Sequence, residues 1–280
     1  MILAGVSGAG PNLSNFFAAE FDSAIRRCMQ GGRSAVAGFT AALRRALPQA
    51  CALCAGDAGD AALCARCTAS LPRIATPCPR CALASADGGV CADCTRHPPP
   101  FAATRAAWIY AFPVDRLLQA LKYRGRLELA EPFAEALSAV VTQRAVDALV
   151  ALPLSRARQR RRGFNQAHEI ARRVAARVAR PLIDGLYREV DSTPQADLAW
   201  RERAKNVRGA FSADPRVIAG RSIAVVDDVM TTGATLRDAA RALQSAGAIR
   251  IEAWVVARTP PPGRGDDALA AFSPRSARGR

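Results

Sequence analysis

Ile223-Ala-Val-Val-Asp-Asp-Val-Met-Thr-Thr-Gly-Ala-Thr235 is the stretch that decides the fold of this chain. Ile223 to Val226 is a short, apolar, β-branched run of the kind that forms a strand buried in a parallel sheet. Asp227 and Asp228 follow at its carboxyl end. Thr231, Thr232, Gly233, Ala234 and Thr235 then make a small-residue turn into a helical segment, Leu236 to Ser245. A turn of this kind leaves backbone N–H groups free beside hydroxyl donors and the positive end of a helix dipole, which suits a phosphate. The neighbouring carboxylates can accept hydrogen bonds from a vicinal diol, and phosphate plus diol describes a ribose 5-phosphate. A plain βα turn with a solvated Asp pair is the weaker reading, because strand, double Asp and turn fall in one register. As turn carboxylates, Asp227 and Asp228 are expected to be dispensable for the core. The chain has no Gly-x-x-x-x-Gly-Lys-Ser/Thr run, which argues against a nucleoside-triphosphate loop.

Outward from this stretch, Arg105 to Phe112, Asp147 to Leu152 and Ile249 to Ala257 read as further strands. Val114 to Tyr123, Leu127 to Gln143 and Phe164 to Arg180 read as helices. The segment from Pro181 to Val190 has no clear pattern, and Ala204 to Phe211 joins a helix end to an extended piece. Strands alternating with helices imply a parallel α/β sheet flanked by helices, with its ligand site at the carboxyl ends of the strands.

Three polar clusters accompany that sheet. After the strand ending near Leu152 comes Ser155, then Arg156, Arg158, Arg160, Arg161 and Arg162, then Gly163, Phe164, Asn165 and Gln166. A charge run is usually a solvated face, but after a core strand it can supply the positive field that a pyrophosphate or a nucleic-acid backbone needs. Ser192 to Phe211, with Gln195, Arg203 and Asn206, is polar, basic and rich in turn residues. It reads as a flap over a bound sugar phosphate, or else as a surface loop. Leu121-Lys-Tyr-Arg-Gly-Arg126 is a basic turn after a helix.

Eight of the nine cysteines form two sets with one spacing. Cys51, Cys54, Cys64 and Cys67 are repeated by Cys78, Cys81, Cys91 and Cys94 at a constant offset of 27 residues, which marks an internal duplication. Each Cys-x-x-Cys knuckle brings two thiolates to one tetrahedral ion, and two knuckles close a structural zinc site, so two Zn²⁺ are expected. Disulfides would need an oxidising compartment, and a redox pair would not be quadrupled. The spacing leaves open whether each set closes its own site or the knuckles pair crosswise. His97 reads as an exposed linker residue and Cys28 as a lone thiol. A ribbon this small buries too little apolar surface to fold without metal.

The composition fits this picture. The chain has 280 residues with 50% hydrophobic residues, so it is globular with room for a medium and a smaller domain. Lys and Arg number 39 against 24 acidic residues, a net charge of +15, which favours polyanionic partners. Lys122 and Lys205 are the only lysines, a coding bias toward Arg that does not explain the basic excess. The aromatic fraction of 6% is low for a single-strand stacking platform, with Tyr123, Phe164, Tyr187 and Trp200 as candidates. No segment approaches the ~18 apolar residues of a membrane span, and no secretory signal is read, so no membrane insertion and a cytoplasmic location are expected. The expected organisation is an N-terminal extension over 1–47, partly disordered with a short helix from Arg33 to Leu47. A double zinc ribbon over 48–97, a sheet domain over 98–259 and a disordered tail over 260–280 follow. The Pro98-Pro-Pro100 run marks the boundary between ribbon and sheet domain.

The run around Asp227 and Asp228 resembles the 5-phosphoribosyl-1-pyrophosphate (PRPP) signature of type I phosphoribosyltransferases. The Cys-rich ribbons, Leu-Lys-Tyr-Arg-Gly-Arg, Arg-Gly-Phe-Asn-Gln and the Asp-Asp run, in this order over roughly residues 40 to 258, resemble the ComF family. That resemblance implies a phosphoribosyltransferase domain behind a zinc ribbon and a link to DNA uptake in natural competence or to nucleotide salvage, with competence-machinery proteins as partners. It implies that Asp227 and Asp228 hold the ribose hydroxyls and serve as the catalytic pair. Thr231 to Thr235 would hold the 5-phosphate, and the segment from Ser155 to Gln166 would face the pyrophosphate with Mg²⁺. As an enzyme the protein would be a pentosyl transferase, with an acceptor that no residue identifies. The alternative is a non-catalytic, PRPP-sensing module that binds single-stranded DNA, since fold does not imply catalysis.

Overall fold

The computed structural model describes residues 49–141, 146–189 and 209–261. The expected N-terminal helix, Cys28, the flap residues Gln195, Arg203 and Asn206, Trp200 and the tail beyond residue 261 lie outside the described residues.

Two short ribbon helices, α1 (Ala65–Ala69) and α2 (Ala92–Arg96), precede the sheet domain. There β1 (Ala103–Ile109) leads through α3 (Val114–Arg124), a 3-10 turn and α4 (Ala130–Val141) to β2 (Ala148–Ala151). Next come α5 (Arg156–Arg162), α6 (Gln166–Val178), β3 (Leu186–Arg188), β4 (Phe211–Ala213) and α7 (Pro215–Ile218). The chain then forms β5 (Ser222–Met230), α8 (Ala234–Ser245) and β6 (Arg250–Arg258). Four strands make a parallel sheet in the order β1-β6-β5-β2, and β3 pairs antiparallel with β4 in a separate two-stranded sheet.

The two central strands are apolar on both faces, as a sheet covered on both sides requires. Ala224, Val226, Trp254 and Val256 pack with Leu118 and Leu121 of α3, Phe133 and Leu137 of α4, and Ile170 and Val174 of α6. Ile223, Val225, Ala253 and Val255 face Leu236, Ala239 and Leu243 of α8, with Leu186, Phe211 and Ile218 beside them. The chain therefore leaves β2 toward one face and β5 toward the other. The crevice at the carboxyl ends of these neighbours is a topological switch point, where open α/β sheets place their ligands.

Three elements differ from expectation. β5 does not stop at Val226: its pairing with β6 continues through Asp227↔Val255 and Val229↔Ala257 to Met230↔Arg258, so the Asp pair lies within the strand. The arginine run is a separate helix, α5, with Ser155 as its N-cap and Gly163, at φ 76°, as its left-handed C-cap. The patternless region after Pro181 contains β3, whose partner β4 lies beyond the flap segment.

The ribbon packs directly on the sheet domain. Cys51, Leu63 and Leu71 share a core with Ala107 and Trp108 of β1. As an edge strand, β1 would otherwise present unpaired backbone groups. Instead Ile109 N donates to Pro72 O at 2.8 Å and Thr104 N donates to Pro79 O at 3.1 Å. The Pro98-Pro-Pro100 run is pinned as well, with Gln244 Nε2 donating to Pro100 O at 2.8 Å.

Candidate functional site

Side chains alternate along a strand, so Asp228 shares the face of Val226 and Asp227 the opposite one. Asp228, 4% exposed, forms an ion pair with Lys122 at the end of α3. Burial alone would raise the Asp228 carboxyl, but the Lys122 ammonium outweighs it and, with Gln166, holds the group below the ordinary carboxylate range. Lys122 is held above its ordinary value, the Asp228 charge outweighing the burial that would lower it. Asp227 keeps partial exposure, and its Oδ1 accepts from Asp228 N at 2.8 Å. Burial of its carboxyl and the adjacent Asp228 charge push Asp227 well above the ordinary value of 3.8. The two carboxylates are thus unlike: Asp228 is paired with Lys122 and shifted down, and Asp227 is shifted up by burial and by its neighbour's charge. The expectation that both are dispensable for the core is corrected at Asp228, whose removal would leave a buried ammonium unpaired.

The Arg-Gly-Phe-Asn-Gln run builds the wall beside Asp228. Asn165 caps α6, its Oδ1 accepting from Ala167 N at 2.9 Å, while its Nδ2 donates to Leu152 O at the end of β2 at 3.0 Å. That brace sets Gln166, 4% exposed, against the Asp pair. Arg162 Nη1 donates to Gln166 Oε1 at 2.8 Å, and its guanidinium lies 5.0 Å over the Tyr123 ring. Lys122, Tyr123, Arg162, Gln166 and Asp228 therefore form one network drawn from α3, α5, α6 and β5. Ser155 caps α5 through Arg158 N at 3.3 Å. Arg156, Arg158, Arg160 and Arg161 are exposed on that helix, and no described bond joins them to the Asp pair. The five arginines crowded in sequence thus share one short helix, and Arg162 is tied through Gln166 to the network around Asp228.

Thr231 to Gly233 turn out of the sheet, and α8 begins at Ala234. Gly233 needs its φ of +76°, and a Cβ there would come within 2.5 Å of Met230 Cε. Thr232 Oγ1 accepts from Ala234 N at 3.2 Å. The first turn of α8 carries no acidic residue, so its positive end faces the crevice uncompensated. Arg258, 5% exposed, supports the turn from below, with Nη1 donating to Met230 O at 2.8 Å and also to Thr231 O.

The cysteines form two local tetrads, Cys51–Cys54–Cys64–Cys67 and Cys78–Cys81–Cys91–Cys94, each with its sulfurs within 4.8 Å of one another. Crossed pairing is excluded. Cys54 and Cys64 Sγ are 3.8 Å apart and Cys81 and Cys91 Sγ 3.7 Å. Two sulfurs each ~2.3 Å from a tetrahedral zinc would sit about 3.8 Å apart, so the donor set fits structural zinc. The duplication extends to the backbone: Cys51 N to Gly56 O and Cys78 N to Leu83 O are both 2.7 Å. His97 is exposed and outside both tetrads.

Sequence reasoning missed three residues near the site, Lys122, Asp238 and Arg258. Lys122 carried a signal, because a lysine is rare in a chain that otherwise uses arginine. Asp238 of α8, 7% exposed, accepts from Gly209 N and Ala210 N at 2.9 Å each and so anchors the chain just ahead of β4. Nothing in its local sequence distinguishes it from an ordinary helix carboxylate.

A phosphoribosyl transferase domain model matches residues 130–273, and a double zinc ribbon domain model matches residues 42–95. Competence protein F of Haemophilus influenzae is 29% identical over 159 residues, which cover 53% of this chain and 69% of that protein. The DNA utilization protein YhgH of Escherichia coli K12 is 31% identical over 178 residues, 58% of this chain and 74% of that one. Competence protein ComFC of Bacillus subtilis is 32% identical over 146 residues, 51% of this chain and 58% of that one. With a parallel sheet, a carboxylate pair at its switch point and two cysteine tetrads, the chain belongs to the phosphoribosyl transferase domain family, in the ComF group that carries a double zinc ribbon.

Proposed function

We propose that the crevice between β2 and β5 binds PRPP. The 5-phosphate rests on Thr231 to Thr235 and the positive end of α8, the ribose hydroxyls meet Asp227 and Asp228, and the pyrophosphate faces Arg162. The observation that carries this reading is the contiguity of a carboxylate pair, a turn that holds Gly233 in the left-handed region and a helix N-terminus at the switch point. Asp227 and Asp228, the latter paired with Lys122, would accept hydrogen bonds from the ribose hydroxyls. Mg²⁺ bound with the pyrophosphate would neutralise the leaving group, and the Asp227 oxygens are hard donors suited to it. Transfer would break the bond from C1 to the pyrophosphate oxygen, with the electron pair leaving on pyrophosphate, while an acceptor supplies the new pair to C1. The Asp pair would then lie near the developing positive charge.

A second reading has its own observation. Helix α5 exposes Arg156, Arg158, Arg160 and Arg161 with no acidic residue in its first turn. The relatives are named for competence and DNA utilization. On that reading the protein takes part in DNA uptake as a PRPP-sensing module that binds single-stranded DNA, with competence-machinery proteins as partners and the cytoplasm as its compartment. Titration with PRPP and Mg²⁺, followed by a pyrophosphate-release screen across nucleobase acceptors, tests the proposal. Binding with release supports a transferase, and binding without release supports the sensor. No binding sinks both.

A further inference from the structure

The second zinc ribbon touches the sheet domain with its metal-binding knuckle. Three consecutive carbonyls of Cys78-Pro-Arg-Cys81 accept from that domain. Pro79 O takes Thr104 N at 3.1 Å, Arg80 O takes Thr104 Oγ1 at 2.7 Å, and Cys81 O takes Arg258 Nε at 2.8 Å. The corresponding knuckle of the first ribbon, Cys51 to Cys54, has no such bond to β1 or β6 among the described residues. Its ribbon meets the sheet through Pro72 and the apolar contacts of Cys51, Leu63 and Leu71. The duplicated ribbons are therefore not equivalent.

Arg258 ends β6 and spans two systems with one guanidinium. Its Nε reaches the knuckle, and its Nη1 reaches Met230 O at 2.8 Å, Thr231 O, and Thr259 O at 2.9 Å. Burial lowers its pKa to about 10, which leaves it charged at neutral pH. Among its described bonds it has no carboxylate partner; backbone carbonyls at the ends of β5 and β6 and at the knuckle take its donors. A planar, rigid fork can hold several carbonyls in fixed relation, which the point charge of a lysine cannot.

We infer that Arg258 is a positioning residue for the Thr231–Thr235 turn, and that the second tetrad, through the Cys81 carbonyl, holds Arg258 in place. Metal at Cys78, Cys81, Cys91 and Cys94 is then linked to the order of the turn at the ligand crevice, whereas metal at the first tetrad is not. This goes beyond the PRPP reading, resting on it only for the name of the ligand.

Hydrogen–deuterium exchange on the full chain, without ligand, tests the linkage with three single variants. Arg258→Lys and Cys94→Ser should each speed exchange across residues 230–237 by about ten-fold or more, with Ile223 to Val226 still protected. Cys67→Ser should leave residues 230–237 as in the wild type. Wild-type exchange there in Cys94→Ser overturns the inference, and so does equal loosening in Cys67→Ser. If Arg258→Lys loses protection throughout, the comparison of the two cysteine variants decides. A wild type whose residues 230–237 gain no protection from PRPP would instead contradict the PRPP reading, which separates the two failures.

Discussion

Lys122, at the carboxyl end of α3, forms a buried ion pair with Asp228 near the carboxyl end of β5, a strand expected to end before it. The pair ties the basic turn of Leu-Lys-Tyr-Arg-Gly-Arg to the carboxylates of the crevice, and makes Asp228 a structural group as well as one proposed to meet the ligand.

Removing one partner of a buried ion pair leaves the other unpaired and costs about 3–5 kcal/mol. Asp228→Asn should therefore lower unfolding free energy in urea by roughly that amount. Asp228→Asn with Lys122→Met should recover much of the loss, because the buried ammonium is gone too. A double variant no better than the single one would show that the pair does not set the cost.

The two carboxylates also predict opposite pH behaviour. The Asp227 pKa is raised by folding, so its contribution is fully present below 3.8 and is lost as pH rises through the folded value. Asp228 is depressed, so its contribution is present above 3.8 and lost as pH falls through the folded value. Lys122 is raised, and its contribution fades only as pH climbs past 10.5. Thermal midpoints measured upward from pH 4 should decline less for Asp227→Asn than for the wild type. Parallel curves would contradict the assignment.

Metal analysis should find two zinc ions per chain and eight reduced ribbon thiols. Cys54→Ser should weaken one site and leave the other filled, because each tetrad is local. Loss of both ions in that variant would argue for a shared site.

If α5 contacts single-stranded DNA, each neutralised phosphate contributes about −0.7 to the slope of log affinity against log salt. Replacing Arg158, Arg160 and Arg161 by Ala should flatten the slope by about 2, as read by fluorescence anisotropy with an oligothymidine. PRPP affinity should be little changed, because Arg162, the arginine bonded to Gln166 beside Asp228, is kept. Loss of PRPP binding with an unaltered slope would assign the helix to the pyrophosphate.

What could be read from the sequence was what local chemistry writes. The apolar run Ile223 to Val226, the Gly233 turn and the cysteine spacing each impose a structure within a few residues, and all three stand. The extension of β5 to Met230 could not be read locally, because it depends on pairing with β6 as far as Arg258. Helix α5 was hidden by its charge, although Ser155 and Gly163 bracket it as caps and Arg is a good helix former. The Lys122–Asp228 pair spans more than a hundred residues, and the knuckle docks through backbone carbonyls, which every residue has. Lys122 stands out by its rarity, but neither its pairing nor the docking can be read from the pattern of side chains.

The central claim is that the Thr231–Thr235 turn and the Asp pair form a PRPP site. Calorimetric titration of PRPP with Mg²⁺ into the wild type and Gly233→Ala tests it most directly, because a side chain at φ +76° strains the turn in its left-handed conformation while leaving the sheet in place. The account predicts saturable binding by the wild type and at least about ten-fold weaker binding by the variant, a difference of about 1.4 kcal/mol. Equal affinity in the two proteins, with the variant folded, would contradict it.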